Sequence, residues 1–174
     1  MQWSSRADIF QLVYEHVYPI IFRITYRIAG REDVAEDLCQ EAFIKYYERI
    51  DTFPDVDQAK YWLIRVAKNL ALNSAKRSGR ERRAYERVYH EPKRVPRSGE
   101  DEVIRRESEE EVQAALSRLP EKMRTVLVLK EYGQLTYKEI GSILGITEGN
   151  VKVRVFRARE RLLELLKGDE ADAS

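Results

Sequence analysis

Between Gly30 and Gly79 the chain has no glycine and a single proline, Pro54. So long a stretch without helix breakers favours helices, and its apolar residues recur three and four apart. Over residues 34–50 they are Val34, Leu38, Ala42, Phe43, Tyr46 and Ile50. Over residues 59–77 they are Ala59, Trp62, Leu63, Val66 and Leu70. Residues 8–27 read as a third, more apolar helix, with Pro19 expected to kink it. Three such helices can bury a common core, although a module this small is only modestly stable. Further amphipathic stretches are predicted at 102–117, 121–132, 136–144 and 148–166. No segment alternates as a strand should, and no repeat is present. The fold class expected is all-α, with two small helical domains and a flexible linker between them.

Charge locates that linker. The whole chain is nearly neutral at +1, with 31 basic and 30 acidic side chains, yet the signs are segregated. Residues 76–97 carry 9 basic and 3 acidic groups, and residues 98–121 carry 3 and 8. Pro92, Pro96, Gly79 and Gly99 fall in the same region, where apolar residues thin out. The boundaries expected are 1–77 for the first domain, 78–101 for the linker and 102–174 for the second domain.

The sharpest local signal lies in the second domain. Thr136 followed three residues later by Glu139 is a capping box that starts a helix. Ile140, Ile143 and Leu144 form its inner side, Gly145 ends it in the left-handed conformation, and Ile146 turns back into the core. Thr147 caps a second helix whose inward residues are Val151, Val155, Ala158 and Leu162. A short helix, a turn containing glycine and a longer helix make a helix-turn-helix. Outside sit Asn150, Lys152, Arg154, Arg157 and Arg161, of which all but Lys152 fall on one stripe. Arginine pairs bidentately with guanine edges in the major groove, and Lys and Arg grip phosphates. A solvated basic face is the blander reading, but caps, turn and stripe together favour DNA binding.

In the first domain, Arg65, Asn69, Asn73 and Arg77 make a stripe away from the core of the 59–77 helix, reaching Arg80 if the helix continues. Tyr61 stands at its start and is the candidate for stacking on an unpaired base, whereas Trp62 belongs to the apolar stripe. The helix before it has an acidic outer face of Glu36, Asp37, Gln40, Glu41, Lys45 and Glu48, which repels DNA and suits a protein partner.

Other chemistries find little support. One cysteine, Cys39, excludes an internal disulfide and reads as a buried filler. His16 and His90 lie apart from other metal-ligand types, so no metal site and no cofactor is expected. No phosphate-binding glycine loop is present, and no carboxylate sits in an apolar setting that would raise its pKa for acid–base work. Nothing argues for an enzyme. Neither a membrane span nor a signal-peptide pattern is found, so a soluble cytoplasmic protein is expected.

The pieces together resemble a family. Residues 33–43 (DVAEDLCQEAF) and 61–71 (YWLIRVAKNLA) look like region 2 of bacterial RNA polymerase sigma factors. Residues 116–124 (LSRLPEKMR) and the helix-turn-helix ending in residues 151–159 (VKVRVFRAR) look like region 4. A chain with these two regions alone resembles the extracytoplasmic-function (ECF) group. The resemblance implies that Asp37, Gln40, Glu41, Lys45 and Glu48 face the β′ clamp helices of core RNA polymerase, with region 4 on the β flap. It implies that Arg65, Lys68, Asn69, Asn73 and Arg77 serve the minus-ten element, beside a loop at 52–58 that captures a flipped base. It implies that Lys152, Arg154 and Arg157 read the minus-thirty-five element, and that an anti-sigma factor provides regulation. Asn73 and Val153 depart from the Asp and the small Ser or Thr that many relatives carry. The competing reading is a stand-alone helix-turn-helix regulator whose N-terminal helices form a dimerisation module.

Overall fold

The computed structural model describes residues 5–87 and 100–172. Among them are seven helices and no strand: α1 (Arg6–Ala29), α2 (Glu32–Glu48), α3 (Val56–Glu86), α4 (Glu100–Arg118), α5 (Glu121–Glu131), α6 (Tyr137–Leu144) and α7 (Glu148–Asp172). A single 3-10 turn, Ile50–Thr52, lies between α2 and α3. The all-α expectation is met.

Local chemistry sets most of the boundaries. Ser5 caps α1 by accepting from the Asp8 N–H, and Gly30 ends it at φ 82°, where its N–H returns to the Tyr26 carbonyl. Helix α1 continues through Pro19. Asp55 caps α3 by accepting from the Gln58 N–H at 2.8 Å. Helix α3 then runs to Glu86, past the boundary expected at residue 77. A Cβ at Gly79 would meet nothing within 4 Å, so that glycine lies in open helix and forces no turn. The remainder of the expected linker, residues 88–99, lies outside the described residues.

In the first bundle α1, α2 and α3 pack on one another. Val13, Val17, Ile21, Ile24 and Ile28 of α1 meet Ala42, Phe43 and Tyr46 of α2 in one apolar core. The α3 line in that core is Ala59, Leu63, Ile64, Ala67 and Ala71, while Trp62, Val66 and Leu70 are half-buried. The small Ala67 and Ala71 leave room for α1 to lie close. Along α1, Phe10, Tyr14, Tyr18, Phe22 and Tyr26 stack ring on neighbouring ring at 5.0–6.2 Å, the four-residue spacing that places side chains one above the other.

In the second bundle α4, α5 and α6 pack against α7, around Leu116, Val126, Leu129, Leu135, Ile140, Val151 and Val155. The two bundles touch: α1 lies against α4 and α5, and α3 lies against α6. No helix among the described residues is long and apolar enough to cross a membrane.

Candidate nucleic-acid interface

The helix-turn-helix is built as its sequence predicts. The Glu139 N–H donates to Thr136 Oγ1 at 3.1 Å, and the Thr136 N–H donates to Glu139 Oε2 at 3.1 Å. Gly145 adopts φ 69°, ψ 34°, and its N–H returns to the Gly141 carbonyl. Gly141, which the sequence pattern did not single out, is the tighter requirement. A Cβ there would stand 2.7 Å from the Ile146 carbonyl oxygen, so only glycine lets the turn fold over α6. The Asn150 N–H then donates to Thr147 Oγ1 at 3.1 Å and starts α7.

Val151, Val155 and Ala158 anchor α7 inward and Leu162 is half-buried, which turns the polar stripe outward. Asn150, Lys152, Arg157 and Arg161 are exposed and Arg154 is half-buried. They differ in what occupies them. Lys152 lies 3.7 Å from Glu148, and Arg161 is held by Glu164 at 2.9 Å. The neighbouring Arg159 is committed elsewhere, since Nε donates to Glu131 Oε1 at 3.0 Å and the carboxylate pushes the guanidinium pKa up. Val153 and Phe156 are 47% and 63% exposed on the same helix. They break the apolar periodicity, the one signal by which the sequence could have shown them as surface contacts.

On α3 the unbroken helix keeps Arg65, Asn69, Asn73, Arg77 and Arg80 exposed along one side. Lys68 is half-buried, and burial pushes its pKa down. Tyr61 is half-buried too, with its hydroxyl donating to Glu139 Oε1 at 3.1 Å, and burial pushes its pKa up. Below the start of α3, Phe53 is fixed by Tyr46 and Trp62 at ring distances of 5.6 and 5.3 Å. A cavity of about 360 Å³ opens there, between residues 53–57 and Ile9, Leu12 and Val13 of α1. Those three α1 residues were not legible as part of the loop, because they lie some forty residues away in sequence.

The third surface is the outer side of α2. Glu36, Asp37, Gln40, Glu41, Lys45 and Glu48 are all exposed. Ile44 stands among them 63% exposed, and Tyr47 beside them is 50% exposed under the Arg6 guanidinium at 5.1 Å. An apolar side chain ringed by polar ones is the pattern of a protein-binding face, and Ile44 escaped notice because one isoleucine makes no stripe. Cys39 is buried beneath this helix, 3.4 Å from Thr25 Oγ1. Among the described residues no group of His, Cys, Asp and Glu could hold a metal ion.

These surfaces fall within two matched regions of one family. Residues 13–81 match the family profile described as Sigma-70 region 2, and residues 109–162 match Sigma-70, region 4. The ECF RNA polymerase sigma factor SigW of Bacillus subtilis is 35% identical over 147 residues, 76% of this chain and 75% of that protein. The ECF RNA polymerase sigma-E factor of Escherichia coli strain K12 is 34% identical over 135 residues, 72% of this chain and 70% of that one. Among solved structures, the sigma factor RpoE of Bartonella quintana, in complex with the anti-sigma factor NepR, is similar at TM-score 0.67 and 27% identity, over 91% of this chain and 96% of that one. CnrH, solved in complex with the cytosolic domain of CnrY, shares the fold at TM-score 0.67 and 23% identity, over 95% and 92% of the two chains. With both regions present in order on one helical chain, this protein belongs to the extracytoplasmic-function group of sigma-70-type RNA polymerase sigma factors, which direct promoter-specific transcription.

Proposed function

We propose that this sigma factor reads its promoter at two points while its α2 face holds core RNA polymerase. The observation that carries the reading is the separation of charge by helix. Exposed basic and amide stripes lie on α3 and α7, and the acidic face on α2 carries Ile44 at its centre. Asp37, Gln40, Glu41, Lys45 and Glu48 meet the β′ clamp helices, and the second bundle rests on the β flap. On α7, Asn150, Lys152, Arg154, Arg157 and Arg161 enter the minus-thirty-five major groove, where each bidentate base contact is worth about 1–3 kcal/mol of discrimination. On α3, Tyr61, Arg65, Lys68, Asn69, Asn73, Arg77 and Arg80 take the minus-ten strand. The cavity over residues 53–57 receives a flipped base between apolar walls, which offsets an unstacking cost of a few kcal/mol.

The protein acts without catalysis of its own, in the cytoplasm, as two units joined between α3 and α4. Its regulator is an anti-sigma factor. That reading is supported by RpoE and CnrH, whose structures were solved with such partners bound or with the cytosolic domain of CnrY. Run-off transcription with purified core polymerase tests the whole. Discrete start sites that depend on this protein are expected, and a promoter library giving no transcript above core alone would overturn the reading.

A further inference from the structure

Helix α3 carries a strip of arginines beyond the residues that the matched family region accounts for. The region 2 profile ends at residue 81 and the region 4 profile begins at 109, whereas α3 runs to Glu86 with Arg87 as its cap, still in helical geometry at φ −68°, ψ −21°. At about 100° of turn per residue, Arg77, Arg80, Arg83 and Arg87 fall within one sector of the helix about 120° wide. All four are exposed. Glu81, the one acidic residue between Lys76 and Tyr85, falls outside that sector. Arg83 Nε donates to the Gly79 carbonyl at 3.2 Å, and none of the four is paired with an acidic group among the described residues.

That is not how this chain treats other exposed cations. Arg31 is held by Asp33 at 2.7 Å, Arg118 by Asp169 at 2.8 Å and Arg161 by Glu164 at 2.9 Å. Acidic residues are not scarce either, with 30 of them against 31 basic ones. Like charges three or four apart on a helix repel, and Arg77–Arg80, Arg80–Arg83 and Arg83–Arg87 are three such pairs in succession. The helix dipole favours cations only in the last turn, so it offsets the repulsion at Arg83 and Arg87 and leaves Arg77 and Arg80 uncompensated. Water alone gives no reason to line one side of a helix this way; a polyanion does.

The make-up of the stripe also changes along α3. As far as Asn73 it mixes cations with the amides Asn69 and Asn73 and starts at Tyr61, groups that bond to bases or stack on them. After Asn73 the same sector holds only cations and Ala84. Phosphate contacts position a protein on DNA and carry no sequence, whereas base contacts specify, so the strip is of the phosphate-binding kind. From Arg77 to Arg87 it is about 15 Å long at 1.5 Å per residue. At 3.4 Å per step of one strand, that covers about four base pairs of duplex.

We propose that the arginine strip at the end of α3 grips the phosphate backbone of double-stranded promoter DNA just upstream of the minus-ten strand, in the spacer between the two elements. The inference rests on the assignment of α3 to the minus-ten strand and of α7 to the minus-thirty-five element, and it adds a duplex contact between them. The start of α3 takes the unpaired base and the second bundle takes the upstream element, so the end of α3 that leads to the second bundle is its upstream end. There the DNA is still paired. With no base-reading group in it, the strip accepts any spacer sequence and holds the duplex at the edge where the strands part.

Arg83 and Arg87, which the proposed function leaves unassigned, supply the test. Arg83→Ala with Arg87→Ala removes both charges, and Arg83→Lys with Arg87→Lys keeps them. Each full-length variant is assembled with core polymerase and titrated, over a range of salt, with a promoter fragment mapped by run-off. The alanine variant is expected to bind about tenfold more weakly at about 0.1 M salt, with a salt slope smaller by about two, and the lysine variant to keep the wild-type slope. Uncharged methylphosphonate linkages over about four base pairs upstream of the melted segment should weaken the wild type to the same level and leave the alanine variant unchanged. That arm needs no altered protein. On a fragment whose duplex is cut away upstream of the minus-ten strand, wild type and variants should bind alike. Equal salt slopes for wild type and alanine variant, or a wild type indifferent to the methylphosphonates, overturn the proposal. A loss that persists on the cut-back fragment places the strip on the unpaired strand and overturns it too, as does a loss of core affinity without DNA, which places it on polymerase. Each of these results leaves the promoter-reading assignment standing, because wild-type run-off transcription tests that assignment by itself.

Discussion

Glu139 uses both carboxylate oxygens: Oε2 accepts from the Thr136 backbone at 3.1 Å, and Oε1 accepts from the Tyr61 hydroxyl of the other bundle at 3.1 Å. One side chain therefore starts the helix-turn-helix and ties it to α3. Thr136→Ala should lose about 1 kcal/mol of cap energy and lower the Tm by about 2–4 °C. Glu139→Ala should fall further, because it loses the reciprocal cap and the tyrosine contact together. Tyr61→Phe should lose only the second contact and change the Tm least. Thermal unfolding followed by circular dichroism gives the order, and a Glu139→Ala protein as stable as wild type would refute the double role.

The arginines of α7 should separate into two kinds. Arg157 is exposed and held by no acidic group among the described residues, whereas Arg159 is held by Glu131 of α5. Arg157→Ala should cost about 1–3 kcal/mol in promoter discrimination, and the loss should vanish on templates whose minus-thirty-five element has been scrambled. Arg159→Ala should lower stability while leaving that discrimination intact. Run-off transcription on matched and scrambled templates makes the comparison. Equal promoter defects in the two variants would mean that the Glu131 pair does not withhold Arg159 from DNA.

That contrast also marks what could be read before the fold was known. The Thr136–Glu139 box, the Gly145 cap and the inward Val151, Val155 and Ala158 are interactions between neighbours in sequence, so their spacing alone disclosed them. The extra length of α3 was harder to see, because Gly79 signals a stop in a sequence but costs a solvent-exposed helix only about 1 kcal/mol. Tyr61 and Glu139 are 78 residues apart, and the partners of Arg23, Arg27 and Lys76 lie 109, 86 and 45 residues away. No periodicity carries such pairings. The surface residues missed, Ile44 and Phe156, are apolar side chains on polar faces, and only the packing of the rest shows that nothing covers them.

On α2 the charges and the isoleucine should contribute in different ways. Asp37→Lys with Glu41→Lys should slow association with core polymerase and steepen the loss at low salt, since rim charges act chiefly through steering. Ile44→Glu should speed dissociation, because a central apolar contact is where binding energy concentrates, at about 1–2 kcal/mol or more. Each variant should unfold at the wild-type temperature, as all three side chains are exposed. Surface plasmon resonance against core enzyme resolves the two rates. Unchanged rates for Ile44→Glu would remove this residue from the interface.

Cys39 should report on the opening of the first bundle. It is fully buried, and burial is the main influence holding its thiol pKa above the usual value, opposed by the Thr25 contact. The thiolate is therefore scarce in the folded protein near neutral pH, and a disulfide reagent should label it only through unfolding. Because folding raises this pKa, its contribution to stability is complete below the unfolded thiol's range and is lost as pH rises through the folded value. Labelling with a chromogenic disulfide should be slow in buffer and accelerate with urea along the unfolding curve. Rapid stoichiometric labelling of folded protein at pH 7 would contradict the buried position.

Lys68 carries a conflict between stability and function. Burial is the largest influence lowering its pKa, with Arg65 adding to it and Glu121 opposing it. The folded state thus binds the Lys68 proton less tightly than the unfolded chain, so stability gains as pH rises from the lowered value towards the ordinary lysine range. Lys68→Met keeps the length of the side chain and removes the charge. Partial exposure discounts the gain, and a Tm increase of about 2 °C at neutral pH is expected, together with loss of this alkaline dependence. The same substitution should weaken minus-ten binding and reduce the salt slope of promoter binding by about one ion, as loss of the proposed phosphate contact requires. Calorimetry and oligonucleotide titrations at several salt concentrations measure both effects. A variant that is less stable than wild type and binds the strand equally well would show that Lys68 is a packing residue with no part in reading the promoter.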